Sequence, residues 1–278
     1  MKNIIYLLAV VFMMISCEEK MVIIPEFEPI DTGKVVYVEE LTGVRCPNCP
    51  AGSARLESIQ NLYPDNVVIV AIHGIDLAKP LDESKYDFRN EDAADLEIFL
   101  KDWLGKPSAY FNRERFEELE ADGLWGHPAS GAWGTFVDRE LEKPQVMEVT
   151  IIKSFDPITR VLDVTVVALP LENLSGEFKV SIMLTESDII DAQDDQNQVI
   201  EEYKHNHVLR DVITKFDGDT FASQLTKDQA QSKTYTYTIP DDGTGLWVPE
   251  HIEIVAFIAN AEGESEEVLQ AAKAHLVD

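Results

Sequence analysis

Basic residues are scarce in this 278-residue sequence: 23 Lys and Arg face 51 Asp and Glu, a formal net charge of −28. Nucleic-acid phosphates are bound by clustered Lys and Arg that release counterions, so the composition argues against a nucleic-acid partner. It argues equally against electrostatic docking on anionic lipid. Cysteine is scarcer still, at three. Three cysteines cannot staple a disulfide-dense scaffold, and an odd number leaves at least one needing its own explanation. Long apolar runs are missing: the longest, Ile4 to Ile15, falls short of the ~20 residues of a membrane-spanning helix. What is present is a 45% hydrophobic fraction, enough for a packed core and too much for general disorder. The length suits two domains of roughly 100–200 residues, or one large one.

The N-terminus explains the odd cysteine. Met1-Lys2-Asn3 is followed by the apolar run and by Ser16-Cys17. A basic start, a 7–15-residue apolar stretch and a small residue before the cut describe a secretory signal over residues 1–16. Met14-Ile15-Ser16-Cys17 looks like a bacterial lipobox, with Met14 where Leu is usual. Lipidated Cys17 would then be the first mature residue and a lipid anchor, each buried methylene contributing about 0.8 kcal/mol. An ordinary signal whose cut falls near a cysteine is the alternative. Glu18-Glu19 resembles the acidic export signal of surface lipoproteins in Bacteroidetes-type bacteria. Residues 17–32 hold Pro25 and Pro29 and no amphipathic period, and read as a lipidated, extended tether.

Residues 33–144 are organised around Cys46 and Cys49. Lys34 to Leu41 is β-rich, Thr42 to Arg45 is a turn, and Ala54 to Tyr63 has Leu56, Ile59 and Leu62 at helical spacing. Val67 to Ile72 is a short apolar run typical of a buried parallel strand. Strand, CxxC, helix, strand is the setting in which CxxC reads as a thioredoxin-like redox motif. A helix start would expose Cys46 where amide N–H groups and the dipole favour a thiolate, and Arg45 would add positive charge. Cys46 is therefore the expected nucleophile and Cys49 the resolving thiol. Glu40 stands where thioredoxins carry a buried, proton-relaying acid. Pro107, opening the strand Ser108 to Phe111, resembles the thioredoxin cis-proline, which would face the disulfide and present an edge to substrate. Glu91 to Leu104 is an expected inserted helix with Ala94, Ile98 and Leu104 on its apolar face, and Ser130 to Leu141 the closing helix. Two departures stand out: Arg45 replaces the usual Trp, and Pro50 the common Lys.

Blander readings stand beside these. The CxxC could be a static structural disulfide, or half a zinc site completed by histidines such as His73 and His127. Glu40 could face solvent, and Pro107 could be an ordinary trans turn residue. No cofactor is implied.

After Lys143-Pro144 the pattern becomes β alternation. Val146–Lys153, Val161–Leu169, Glu177–Thr185, Ser232–Ile239, Ile252–Ala259 and Glu267–Leu276 are six strand candidates, with a seventh near Val208 to Thr214. Residues 145–278 therefore read as an all-β, immunoglobulin-like antiparallel sandwich. Ser187 to Arg210 interrupts it as an acidic stretch without the Gly and terminal Glu of a calcium loop, and is expected to be a solvated loop. Within it, His205-Asn206-His207 would put two imidazoles on one strand face as a metal pair, or simply pack and hydrogen-bond locally.

Glu39-Glu40-Leu-Thr-Gly ahead of Cys46-Pro-Asn-Cys49-Pro50, the Pro107 strand ending near Asn112-Arg113, and His205-Asn-His-Val-Leu-Arg210 together resemble the Omp28-related outer-membrane lipoproteins. The resemblance spans most of the mature chain. It implies a thioredoxin-like domain followed by a β-sandwich at the outer membrane of Bacteroidetes, facing the periplasm or the cell surface. Adhesin or receptor roles are proposed for that family. Two functions follow from different classes: a thiol–disulfide oxidoreductase acting on protein thiols or disulfides, and a non-catalytic surface binding lipoprotein.

Overall fold

The structure, a computed structural model, describes residues 33–263 and 266–277. The expected signal, Cys17 and the tether lie outside them. Chain order is β1 (Val36–Leu41), α1 (Cys49–Leu62), β2 (Val67–Ile72), α2 (Glu91–Phe99), β3 (Ser108–Phe111), α3 (Glu117–Glu120) and α4 (Trp133–Leu141). Ten strands follow: β4 (Met147–Asp156), β5 (Val161–Pro170), β6 (Leu174–Glu186), β7 (Ile189–Asp195), β8 (Gln198–His205), β9 (Val208–Val212), β10 (Asp219–Leu225), β11 (Gln231–Thr238), β12 (Ile252–Asn260) and β13 (Val268–His275).

Hydrogen bonding does not stop where the chain passes Lys143-Pro144. One long sheet runs β13-β12-β6-β9-β2-β1-β3, with β10 on β6. β1 and β2 pair in parallel and β3 is antiparallel to β1. β9 is the seam: Val208 bridges Ala71 of β2, while Val208 to Val212 pair with β6. A three-stranded sheet, β11-β5-β4, covers the C-terminal part of the long sheet. Leu162, Val164, Val166, Ile182, Leu184, Ile254 and Ala256 fill the space between. This is the antiparallel sandwich expected from the alternation. Opposite the disulfide face, Tyr37, Val70 and Leu96 pack with Met183, Leu209 and Phe257, so both halves share one core.

Three local expectations are corrected. α2 ends at Phe99, and its buried face is Ala93, Leu96 and Glu97, continued by Leu100. Ile98 and Leu104 are exposed. The cause is Glu97, an acid drawn inside by Lys106 at 2.8 Å, which rotates the buried face away from the apolar pattern. Leu62 of α1 is likewise exposed, whereas Leu56 and Ile59 are buried. Ser187 to Arg210 is not a solvated loop: it holds the β7–β8 hairpin. Its acidity misled because Asp191 is buried, accepting from the backbone N–H groups of Lys85 (2.7 Å) and Tyr86 (3.0 Å).

Candidate functional site

The sequence around the cysteines folds as a turn into a helix. Cys46 N–H donates to Gly43 O at 3.0 Å, and Cys49 N–H to Cys46 O at 3.1 Å. Cys49 opens α1 with Pro50 in the first turn, where a missing N–H leaves no helical bond unmade. Cys46 and Cys49 form a disulfide with Cα atoms 5.3 Å apart. Cys46 therefore lies a turn ahead of the helix, and it is not exposed: Cys46 is 0% and Cys49 1% accessible. The β7–β8 hairpin is hydrogen-bonded to this turn. Gln193 Nε2 donates to Cys46 O at 3.1 Å and to Gly43 O at 3.3 Å, and Asp194 N–H donates to Val44 O at 2.8 Å.

Beneath the first turn of α1 sit Glu40 and Pro107. The Lys106–Pro107 bond is cis. A Cβ on Gly52 would stand 2.8 and 2.9 Å from Pro107 ring carbons and 3.1 Å from Glu40 Oε1, so helix, proline and acid meet where only glycine fits. Lys106 Nζ donates to Glu97 and to Asp76 O (2.6 Å), tying down the backbone before Pro107. Glu40 is buried and, among the described residues, faces no cation. Ser53 Oγ donates to its two carboxylate oxygens at 3.2 and 3.1 Å. Burial pushes the Glu40 carboxyl up to about 8; Ser53 opposes the shift and Glu57 adds to it. At neutral pH it holds its proton.

Glu40 lines a cleft of about 20 Å³, room for one water, with Ser53, Glu57, His73, Tyr203 and His205 among its walls. Burial holds His73 well below the usual histidine range and His205 down to about 4, so both rings are neutral. Nδ1 of His73 and Nε2 of His205 have no hydrogen-bond partner among the described residues.

The remaining expected residues are dispersed or otherwise engaged. Arg45 turns its guanidinium onto the carbonyls of Lys79 (2.8 Å) and Pro80. His205 and His207 do not share a strand: β8 ends at His205, and His207 has a left-handed φ of 55°. His205 instead meets His73 at 6.0 Å between ring centres. His127 packs on Phe136 at 4.4 Å, and its Nδ1 accepts from Ala129 N–H. Among the described residues, no three His, Cys, Asp or Glu side chains are grouped to hold a metal ion. Nor is any described helix long and apolar enough to cross a membrane.

The sequence pattern of the family "Outer membrane protein Omp28" matches residues 101–277. The chain belongs to the Omp28 family. Its place is accordingly the outer membrane. The family match begins after the Cys46–Cys49 turn, so it rests on the Pro107 strand and the C-terminal half. HBP35 of Porphyromonas gingivalis is similar in fold, with a TM-score of 0.66 at 15% identity over 87% of this chain and 75% of that one. A domain of the outer membrane lipoprotein Omp28 from Porphyromonas gingivalis aligns over 46% of this chain and 86% of that one, at 21% identity and a TM-score of 0.32. No curated protein matches the chain.

Sequence reasoning missed three residues of this site. Ser53 is the partner of Glu40 and was legible only as a small residue one turn past Cys49. Tyr203, its hydroxyl pushed up to about 12 by burial with Glu40 and Glu57 nearby, comes from a segment read as loop. Gln193 comes from the same segment, and no local signal marks it.

Proposed function

We propose that this Omp28-family protein is an extracytoplasmic thiol–disulfide oxidoreductase, anchored by acyl chains on Cys17. In this reading residues 33–144 form a thioredoxin-like unit and residues 145–278 an immunoglobulin-like sandwich. One observation supports it above others: buried Glu40, Gly52 and the cis-Pro107 ring are in contact under the turn of helix that carries Cys49. A buried carboxyl with a raised pKa beside a CxxC is suited to proton transfer near neutral pH.

In the reduced protein, the Cys46 thiolate attacks one sulfur of a substrate disulfide, and the first substrate thiolate leaves and takes a proton. As Cys49 attacks Cys46 Sγ, Glu40 takes the Cys49 proton and gives its own to the departing second substrate sulfur, which leaves as a thiol. Two electrons have then moved to the substrate, and Cys46–Cys49 is a disulfide again. A partner dithiol returns those electrons. Pro107 positions the substrate chain.

The test is the redox equilibrium of Cys46–Cys49 with glutathione, together with the Cys46 thiolate pKa. A potential above about −300 mV and a thiolate pKa below about 8.5 are expected. A lower potential with an unshifted thiol sinks the reading. Cys49→Ser should trap mixed disulfides with envelope proteins.

The burial of both sulfurs favours a second reading, a non-catalytic binding or adhesin-type lipoprotein whose disulfide is static. It expects the low potential and no trapped partner.

A further inference from the structure

An oxidoreductase whose sulfurs are covered needs a way to uncover them. The element bonded to the turn that carries them is a hairpin with an unusual division of labour. Its base is fixed: Asp191 holds the Lys85 and Tyr86 amides, and His205 packs on Phe88 at 4.8 Å. Directly above that base the ladder is irregular, its register shifting between Asp191 and Gln193. Beyond the shift, the hairpin is attached to the cysteine turn by polar contacts: Gln193 to Gly43 O and Cys46 O, Asp194 N–H to Val44 O, and Gln196 Nε2 to Asn48 Oδ1 at 2.9 Å. Glu201 and Glu202 on the β8 leg are exposed. Few buried apolar contacts and a broken ladder are the marks of a unit that opens locally.

The groups it satisfies are informative. The carbonyls of Gly43, Val44 and Cys46 form a row of backbone acceptors beside the disulfide, and all three are met by donors of β7. An extended polypeptide offers backbone N–H donors like that of Asp194, and side-chain amides like that of Gln193. We propose that the outer part of β7–β8, residues 193–200, occupies the binding site for an extended segment of substrate polypeptide, which reaches the disulfide by displacing it. This rests on the oxidoreductase reading and names its substrate class. Glu57 beside the cleft and the net charge of −28 select against acidic segments.

The experiment uses the full mature chain. The oxidised protein is reduced with tris(2-carboxyethyl)phosphine. Phosphorus attacks one sulfur, the S–S bond breaks, and water supplies the oxygen of the phosphine oxide and the protons of two thiols. The rate is compared with that of an oxidised peptide of residues 43–52. A gated disulfide should react at least tenfold more slowly than the peptide. Gln193→Ala should speed it about tenfold, the equivalent of one buried hydrogen bond. Equal rates for protein and peptide, or an unchanged rate in folded Gln193→Ala, overturn the gate. If Gln193→Ala does not fold, hydrogen exchange of wild type decides: the Asp194 amide should open far more often than those of β6, and exchange only by global unfolding overturns the proposal.

The substrate class is read separately. Reduced protein is offered oxidised glutathione, or a twelve-residue neutral peptide whose central cysteine is disulfide-linked to glutathione. Cys46 attacks, one thiol leaves, and Cys49 releases the other. Oxidation at least tenfold faster by the peptide is expected, and equal rates overturn the extended-segment site. Inertness to both sinks the oxidoreductase reading itself, while the phosphine rates still report the gate.

Discussion

Glu39 and Glu40 are adjacent on β1, both buried, and treated oppositely by the fold. Strand alternation sends them to opposite faces of the sheet. Glu39 accepts from Arg113 Nη2 (2.6 Å) and Nε (2.9 Å) and from the Tyr37 hydroxyl (2.9 Å). That guanidinium lies over Phe99 (5.0 Å) and over Phe257 of β12 (5.1 Å), so the pair also joins the two halves of the chain. Glu40 receives one serine hydroxyl and no cation. The same side chain is thus an ion-pair partner on one face and a proton reservoir on the other. The difference teaches where to look for chemistry: a buried carboxylate paired with a cation is framework, and a buried carboxyl without one near a disulfide is a candidate for function.

Breaking the Glu39 face should have the largest effect. Arg113→Met leaves Glu39 buried without its partner, and a loss of about 3–5 kcal/mol in urea unfolding is expected. Adding Glu39→Gln should recover most of that loss, because the stranded charge is then gone. If the double variant is no better than the single, the ion pair is not what holds this face.

The Glu40 face should respond in the opposite direction, and only above about pH 4.5. Its carboxyl titrates near 8 in the folded protein and near 4.5 as an ordinary glutamate. Folding therefore binds a proton between those values. The stability Glu40 allows is fully present below pH 4.5 and falls as pH rises through 8. Glu40→Gln removes that dependence. The variant should match wild type at pH 4 and exceed it by up to about 5 kcal/mol at pH 9. Urea midpoints at the two pH values check this, and a pH-independent difference would show that Glu40 is not the titrating group.

The two carboxylates also mark what sequence could and could not tell. Glu40, Cys46, Cys49 and Pro107 were legible because their signals are local or tied to a strand: a CxxC between an apolar strand and a helix, an acid on the strand before it, a proline opening the strand after it. The sandwich strands were legible from alternation, as in Val161 to Leu169. Glu39 was invisible as framework, because its partner lies 74 residues on and nothing in a run of two glutamates says which is paired. The hairpin failed for a related reason. Asp191, Asp194 and Asp195 lower strand propensity, and only the distant Lys85, Tyr86 and Val44 backbone groups make that strand favourable. The burial of the sulfurs followed from the same distant contacts and was missed with them.

The smallest expected effect isolates the one group that tempers Glu40. Ser53 Oγ reaches both of its oxygens, and a hydroxyl donor favours the ionised form. Ser53→Ala deletes that donor and leaves the burial intact, so the Glu40 carboxyl should move further up. Below pH 4.5 the acid is protonated in folded and unfolded chains alike, and little change in stability is expected there. Above pH 8 the folded protein holds an anion without its donor, and the loss should be about 1 kcal/mol. The decline of stability with pH, which levels off just above 8 in wild type, should continue to higher pH. A uniform loss at all pH values would instead assign Ser53 to the packing of α1. In that case Glu40 would be tempered from elsewhere in the cleft, with the Tyr203 hydroxyl the group to test next.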